Sequence, residues 1–425
     1  MAGVSMRSPT EVHLATDDNA MMPKPAQSGH TNLRSWFTRP PRAHGEVLED
    51  RTVSFLELFY DLVFVVLIAQ IAHTLAGDVT WEGLRDFAIV FGLIWIGWIN
   101  GSFYHELHGR EDGRSRAYIF GQMALLVLLS VYAAHAADDP ADGRGFAIVY
   151  AILLTFIALQ WLAIRPHDTP EMAALTLRYV LNMAVIIGLV VVSAIVSDQN
   201  ARLTLWGVAI ALAVAGTIAS IFRVDPQFED AFRVTESISE RFGLFTIIML
   251  GEVVVGVADG LSEAERTGRT IATGLVALVV GFGFWWNYFD FVGRRPPRPG
   301  ARNRVIWNFG HLPMWLGIAA AGAGMVSLIE HATDGRTPTA TAWLIAGSTA
   351  TIAIALALIV STMPPHPGRR RVPTSLLAAA LVSLGLAAAR PDPLLLAAGL
   401  AVSLGLVWFE AFVRHAHAGT PIGDQ

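Results

Sequence analysis

Glu57 and Asp61 stand four residues apart in the stretch Val-Ser-Phe-Leu-Glu57-Leu-Phe-Tyr-Asp61-Leu-Val-Phe-Val, which is otherwise mostly apolar. On a helix that spacing puts both carboxylates on one face, about 40° apart and at depths of about 6 and 12 Å. Glu252 follows Gly251 deep inside another apolar stretch, one that opens with Glu240-Arg241. An ionisable side chain at mid-bilayer costs roughly 2.5–3.5 kcal/mol on insertion scales, so each of these groups requires a partner or a use. Carboxylates so placed can carry protons or hold cations, and Arg178 and Arg241 are the available counter-charges. His311-Leu-Pro313 adds an imidazole beside a proline that frees the carbonyl of Phe309, an interruption of the kind that lines transport sites. Arg241 falls level with Glu57 when both helices run the same way, which predicts an ion pair between them. Asp61 and Glu252 lie beyond the nearest arginine and are the expected titrating groups. Gly251, with no side chain, is expected to permit close helix approach at Glu252.

The elements that must position these groups are transmembrane helices. The 425-residue chain is 53% hydrophobic and 15% charged, where a soluble domain carries about 25% charged residues. Its mean hydropathy is +0.49. It has no cysteine, which excludes disulfides, thiolate metal sites and a cysteine nucleophile. A helix needs about 20 apolar residues to cross the hydrocarbon core, and the stretches 53–76, 84–105, 116–136, 145–164, 175–197, 202–222, 240–259, 270–292, 303–329, 340–362, 373–389 and 393–413 qualify. Arg390-Pro-Asp-Pro393 predicts a tight turn between the last two. The expected fold is therefore all-α and polytopic, with about 12 transmembrane helices. Apart from Arg85 and Arg178, which lie within spans, the Lys and Arg residues of the loops, tails and span ends divide 22 to 6 between the two sides, which puts both termini and the richer side in the cytoplasm of a cell-membrane protein. A shift of 188 places Trp98 on Trp286 and Arg116 on Arg304, suggesting two parallel six-helix repeats.

The chain divides accordingly into a disordered tail over 1–50, a first half over 51–222, a linker over 223–239, a second half over 240–415 and a short tail over 416–425. In the linker Asp225-Pro226, followed by Phe228 and Phe232, predicts an interfacial helix. Trp95, Trp98, Trp285 and Trp286 read as interface anchors, and His73 and His105 as groups near helix ends. The polar groups concentrate toward the arginine-rich side, which suggests a vestibule opening there.

The first-span stretch Glu57-Leu-Phe-Tyr-Asp61-Leu-Val-Phe-Val resembles the opening signature of the bacterial low temperature requirement protein A family. Glu240-Arg241-Phe-Gly243, Ile247-Ile248-Met-Leu-Gly251-Glu252 and His311-Leu-Pro313 resemble its later motifs. The resemblance covers roughly residues 51–415, with Met249 and Val253 as apolar variants. It implies a fold, a membrane location and motif roles for Glu57, Asp61, Glu240, Arg241, Glu252 and His311. The family is named for a growth phenotype, so the resemblance leaves the activity open. No HExxH, P-loop, GxSxG or Rossmann fingerprint is present, and no cofactor or nucleic-acid partner is expected. The leading expectation is a secondary transporter or channel for an unknown small solute or ion, proton-coupled through Asp61 and Glu252. In that scheme Arg178 and Arg241 are counter-charges and His311 lines the site. The alternatives are a structural or regulatory membrane protein that supports growth in the cold, and an intramembrane enzyme acting on lipid. The bilayer is the one certain partner, and the oligomeric state is open.

Overall fold

The computed structural model describes residues 33–46, 51–223, 233–293, 295–365 and 370–417. A short helix α1 (Leu33–Thr38) precedes twelve long ones: α2 (Phe55–Gly77), α3 (Trp81–His108), α4 (Gly113–Ala133), α5 (Pro140–Leu162), α6 (Pro170–Ile195), α7 (Gln199–Phe222), α8 (Glu236–Glu263), α9 (Gly268–Phe291), α10 (Ala301–Glu330), α11 (Thr339–Val360), α12 (Val372–Ala389) and α13 (Pro393–His417). All twelve are long and apolar enough to cross a membrane. Each answers an expected span with ends moved by a few residues. Arg390 makes the predicted turn between α12 and α13, in a left-handed conformation at φ 52°.

Local chemistry explains where these helices begin. Ser54, Thr80, Asp112, Asp139, Thr169, Asp198, Thr235 and Thr267 cap the starts of α2 to α9, each with a side-chain oxygen accepting a backbone N–H of the first turn. Such a cap stabilises a helix by roughly 0.5–2 kcal/mol. The faces follow from the solvent. On α2 the apolar Phe59, Leu62 and Val66 point outward, whereas Glu57, Tyr60 and Asp61 are buried. That inverts a soluble amphipathic helix, because lipid solvates the apolar face and only protein can satisfy the polar one.

Two six-helix units share one pairing pattern. In the first, α2 packs on α3 and α4, α3 on α5 and α7, and α4–α5, α5–α6 and α6–α7 pair in sequence. Each of these pairings recurs six helices later, from α8–α9 through α12–α13. The units meet where α10 packs on α2, α3 and α7, and where α8 packs on α2 and α3. α10 is buried over most of its length, and its run Ala319-Ala-Ala-Gly322-Ala-Gly324 lets neighbours approach closely. A Cβ on Gly322 would meet the backbone carbonyl oxygen of Glu252 at 2.6 Å. Gly251, the expected contact glycine, has nothing within 4 Å of such a Cβ. The α8–α10 crossing is made by Gly256 and Gly322 instead, because these glycines are the ones on the facing sides.

Three further expectations meet a different arrangement. Residues 33–46, which sequence assigns to the tail, are seated on the bundle: Trp36 and Phe37 lie over Gly113, and Arg42 is 3% exposed. The expected interruption at Pro313 is absent, since α10 runs unbroken through it. Trp95 and Trp98 are buried rather than interfacial. The linker helix built on Asp225, Phe228 and Phe232 lies outside the described residues, as do residues 1–32 and 418–425.

Candidate functional site: an ion chain at the seam

Glu57 begins the site because it caps its own helix. Ser54 Oγ accepts the Glu57 N–H at 3.2 Å, and Glu57 Oε2 accepts the Ser54 N–H at 3.0 Å, a reciprocal capping box. The same carboxylate takes Arg51 Nη2 at 2.7 Å on Oε1, where Arg241 Nη1 also approaches at 3.5 Å. Arg241, 2% exposed, makes its shorter bonds one turn deeper. Its Nη2 and Nε donate to Asp61 Oδ1 and Oδ2 at 2.8 and 3.2 Å, a bidentate fork across the seam between α8 and α2. Trp98 Nε1 completes Asp61 at 2.9 Å, and the Tyr60 ring lies 5.6 Å beneath the guanidinium.

At the other end, Arg51 bonds Glu106 on α3 through Nη1. Thr235 and Ser237, in the first turn of α8, donate to the two oxygens of Glu106 at 2.6 and 3.1 Å. The helix terminus there also favours negative charge. The result is an alternating chain, Glu106–Arg51–Glu57–Arg241–Asp61, joining α3, the segment before α2, α2 and α8. Its three carboxylates are buried, Asp61 0%, Glu57 5% and Glu106 9% exposed, as is Arg241, while Arg51 is partly exposed. Where sequence suggests an open vestibule, the structure holds a closed chain of ion pairs. For Arg51, which lies outside the spans, burial lowers the pKa and the Glu57 carboxylate opposes that shift.

The expected Glu57–Arg241 approach is present, but Asp61 is the closer partner and is not left without a cation. Glu57 already has Ser54 and Arg51, whereas the more deeply buried Asp61 has only Trp98 beside Arg241 among the described residues, so the guanidinium turns to the more desolvated carboxylate. Glu252, 7% exposed, lies farther along α8 at the α10 crossing, and no described side chain hydrogen-bonds its carboxylate. His311 is fully buried: Nδ1 meets the Trp307 carbonyl at 2.6 Å and Nε2 the Tyr288 hydroxyl at 3.2 Å. Phe242, Trp307 and Trp315 surround its ring, and Phe242 and Trp315 also touch Trp98, so His311 joins the seam through aromatic packing. Arg178 is not brought in. It is exposed on α6 and makes no ion pair with a described residue. His105, expected near an interface, is 2% exposed beside Tyr60.

Sequence reasoning missed Glu106, Arg51 and Trp98. In sequence Arg51 is one more positive charge on the arginine-rich side, and Trp98 reads as an anchor. The available signal was His105-Glu106 at the end of an otherwise apolar helix, a carboxylate that needs a cation.

A match to the family of bacterial low temperature requirement A protein (LtrA) runs over residues 52–408. The chain belongs to that family. The LtrA match takes in Glu57, Asp61, Trp98, Glu106, Arg241, Glu252 and His311, while Arg51 stands one residue before it. An uncharacterised protein of Rhizobium meliloti (strain 1021) is 26% identical over 306 residues, covering 67% of this chain and 72% of the relative. No solved structure matches the chain.

Proposed function

We propose that this multi-pass membrane protein is a secondary transporter or channel for a small solute or ion, and that the Arg241 junction is its moving contact. One observation carries the reading. Arg241 is buried between two carboxylates one helical turn apart on the opposing unit, at 2.8 Å from Asp61 and 3.5 Å from Glu57, while Arg51 also holds Glu57. A fixed brace needs one acceptor. A cation held by one carboxylate with a second at 3.5 Å has two arrangements, and a small slide of α8 along α2 exchanges them, which is what a bistable seam requires. Glu252 supplies a carboxylate near mid-span with no described side-chain partner, the place for a coupling proton. Arg241 and Asp61 set the seam, His311 and its aromatic neighbours pack behind it, and the arginine-rich end faces the cytoplasm.

The completeness of the ion chain supports a second reading, a structural or regulatory protein in which the chain only braces the bundle. Flux in proteoliposomes, assayed with a panel of ions and small solutes, separates them. Asp61→Asn and Glu252→Gln keep volume and remove charge, so under the transport reading both proteins insert, remain monodisperse and lose flux. Wild-type flux from both neutral variants, or full growth in the cold when they replace the native protein, would overturn proton-coupled transport.

A further inference from the structure

Residues 36–46 cross the arginine-rich end of the first unit as a strap. Arg42 Nε donates to the Gly109 carbonyl at 2.8 Å, and its Nη2 to the carbonyl of Glu106. The Arg42 N–H donates to the His108 carbonyl at 3.2 Å, and His108 Nδ1 meets the Arg42 carbonyl at 2.7 Å. His44 grips Asp168, in the turn between α5 and α6, with its N–H at 2.9 Å and its Nδ1 at 2.7 Å. Arg110 donates to the Pro40 carbonyl at 3.0 Å and pairs with Glu46 at 2.8 Å. One segment thus ties together the end of α3, the approach to α4 and the α5–α6 turn. It lodges there because the last carbonyls of α3 lack intrahelical donors and sit at the negative end of the helix dipole, where a guanidinium fits.

The strap and the ion chain meet at one residue. Arg51 donates to the same Glu106 carbonyl as Arg42, at 3.2 Å, and to the His105 carbonyl at 3.1 Å, while holding Glu57 and Glu106 through their side chains. Beneath lie buried polar atoms with no hydrogen-bond partner among the described residues: Ser102 Oγ, both ring nitrogens of His105, His108 Nε2 and Gln160 Nε2. Gln160 accepts from Gln122 at 3.1 Å, and Gln122 accepts from the Tyr60 hydroxyl at 2.6 Å, which returns to the ring under Arg241. Unmet polar atoms are rare in a protein interior and costly there. Here they extend from the strap to the junction, where a hydrated or polar ligand would find both donors and acceptors.

We propose that residues 39–46 are a gate over this polar path, and that the strap lifts when the Arg241 junction opens. The inference rests on the transport reading for its purpose, though not for its physical content. The clasp suits release. Burial, and next the charge of Arg51, pull the Arg42 guanidinium down to about 10, so it stays charged at neutral pH while bearing a desolvation cost that its carbonyl contacts offset.

The native chain has no cysteine, so introduced thiols report cleanly. Ser102→Cys, fully buried under the strap, is the reporter, and its labelling by a small water-soluble thiol reagent measures the open fraction. Arg42→Gln should speed that labelling by about tenfold or more, in proportion to the gain in open population. His44→Ala, which leaves the Arg42 bonds in place, should act in the same direction and serves if Arg42→Gln fails to fold. Labelling at the parental rate in a folded release variant overturns the gate. In a separate protein, His44→Cys with Asp168→Cys, bridged by a short bis-thiosulfonate reagent, should stop flux in proteoliposomes until a reductant is added. Measurable flux that the bridge leaves unchanged also overturns the gate. Faster labelling with no flux from any form upholds the gate and overturns transport.

Discussion

A guanidinium desolvated between two carboxylates divides its interaction by distance and geometry, not by sequence spacing. Arg241 forks onto Asp61 at 2.8 and 3.2 Å and reaches Glu57 only at 3.5 Å. A double-mutant cycle should therefore give a larger coupling for Arg241 with Asp61 than with Glu57. Removing one partner of a buried pair costs roughly 3–5 kcal/mol. Arg241→Gln should approach that figure in detergent melting, because it leaves two carboxylates a turn apart without their shared cation. Glu57→Gln should cost less through Arg241, since Asp61 still holds the cation. A cycle in which Glu57 couples more strongly than Asp61 would show that the fork is not the dominant contact.

Helix ends and crossings carry their own tests. The Asp139 carboxylate accepts the Asp142 and Ala141 N–H groups, which hold its pKa below the usual carboxylate range. A depressed carboxyl pKa means that the cap is at full strength above the unfolded value near 4 and is lost as pH falls through the folded one. Asp139→Asn keeps the acceptor without the titration, so its melting temperature should fall less steeply with acid than that of the native protein. At the α8–α10 crossing, Gly322→Ala drives a methyl group into the backbone of Glu252 and should destabilise by about 1–3 kcal/mol. Gly251→Ala meets open space and gains helix propensity, so it should be neutral or slightly stabilising. Equal losses at both positions would contradict the crossing.

Across the whole molecule, the repeated pairing of α2–α7 and α8–α13 makes two units of like orientation, and a seam between two such units is where rocking can occur. From the charge asymmetry we propose that the α2 start lies in the cytoplasm. Glu265→Cys, exposed between α8 and α9, should react with an impermeant thiol reagent on intact cells. Pro299→Cys, exposed between α9 and α10, should react only after permeabilisation. The reverse pattern would invert the topology and move the strap to the outer face.

The amino-acid sequence determined the twelve spans, their order, the turn at Arg390 and the presence of buried charge. These depend on transfer free energies and backbone preferences, which each short segment carries within itself. It also brought Glu57 and Arg241 together, since depth along parallel helices follows from rise per residue. Which carboxylate Arg241 prefers was decided 180 residues away in the chain, at Asp61, by desolvation and side-chain reach. The same holds for Arg178, whose intramembrane position suggested a counter-charge until the packing of α6 left it on the outside. Arg51, Glu106 and Arg42 look like ordinary boundary charges in one dimension. Only the tertiary structure set them on the ends of α3 and α8, because a helix terminus attracts whichever charged group the fold brings within hydrogen-bonding distance.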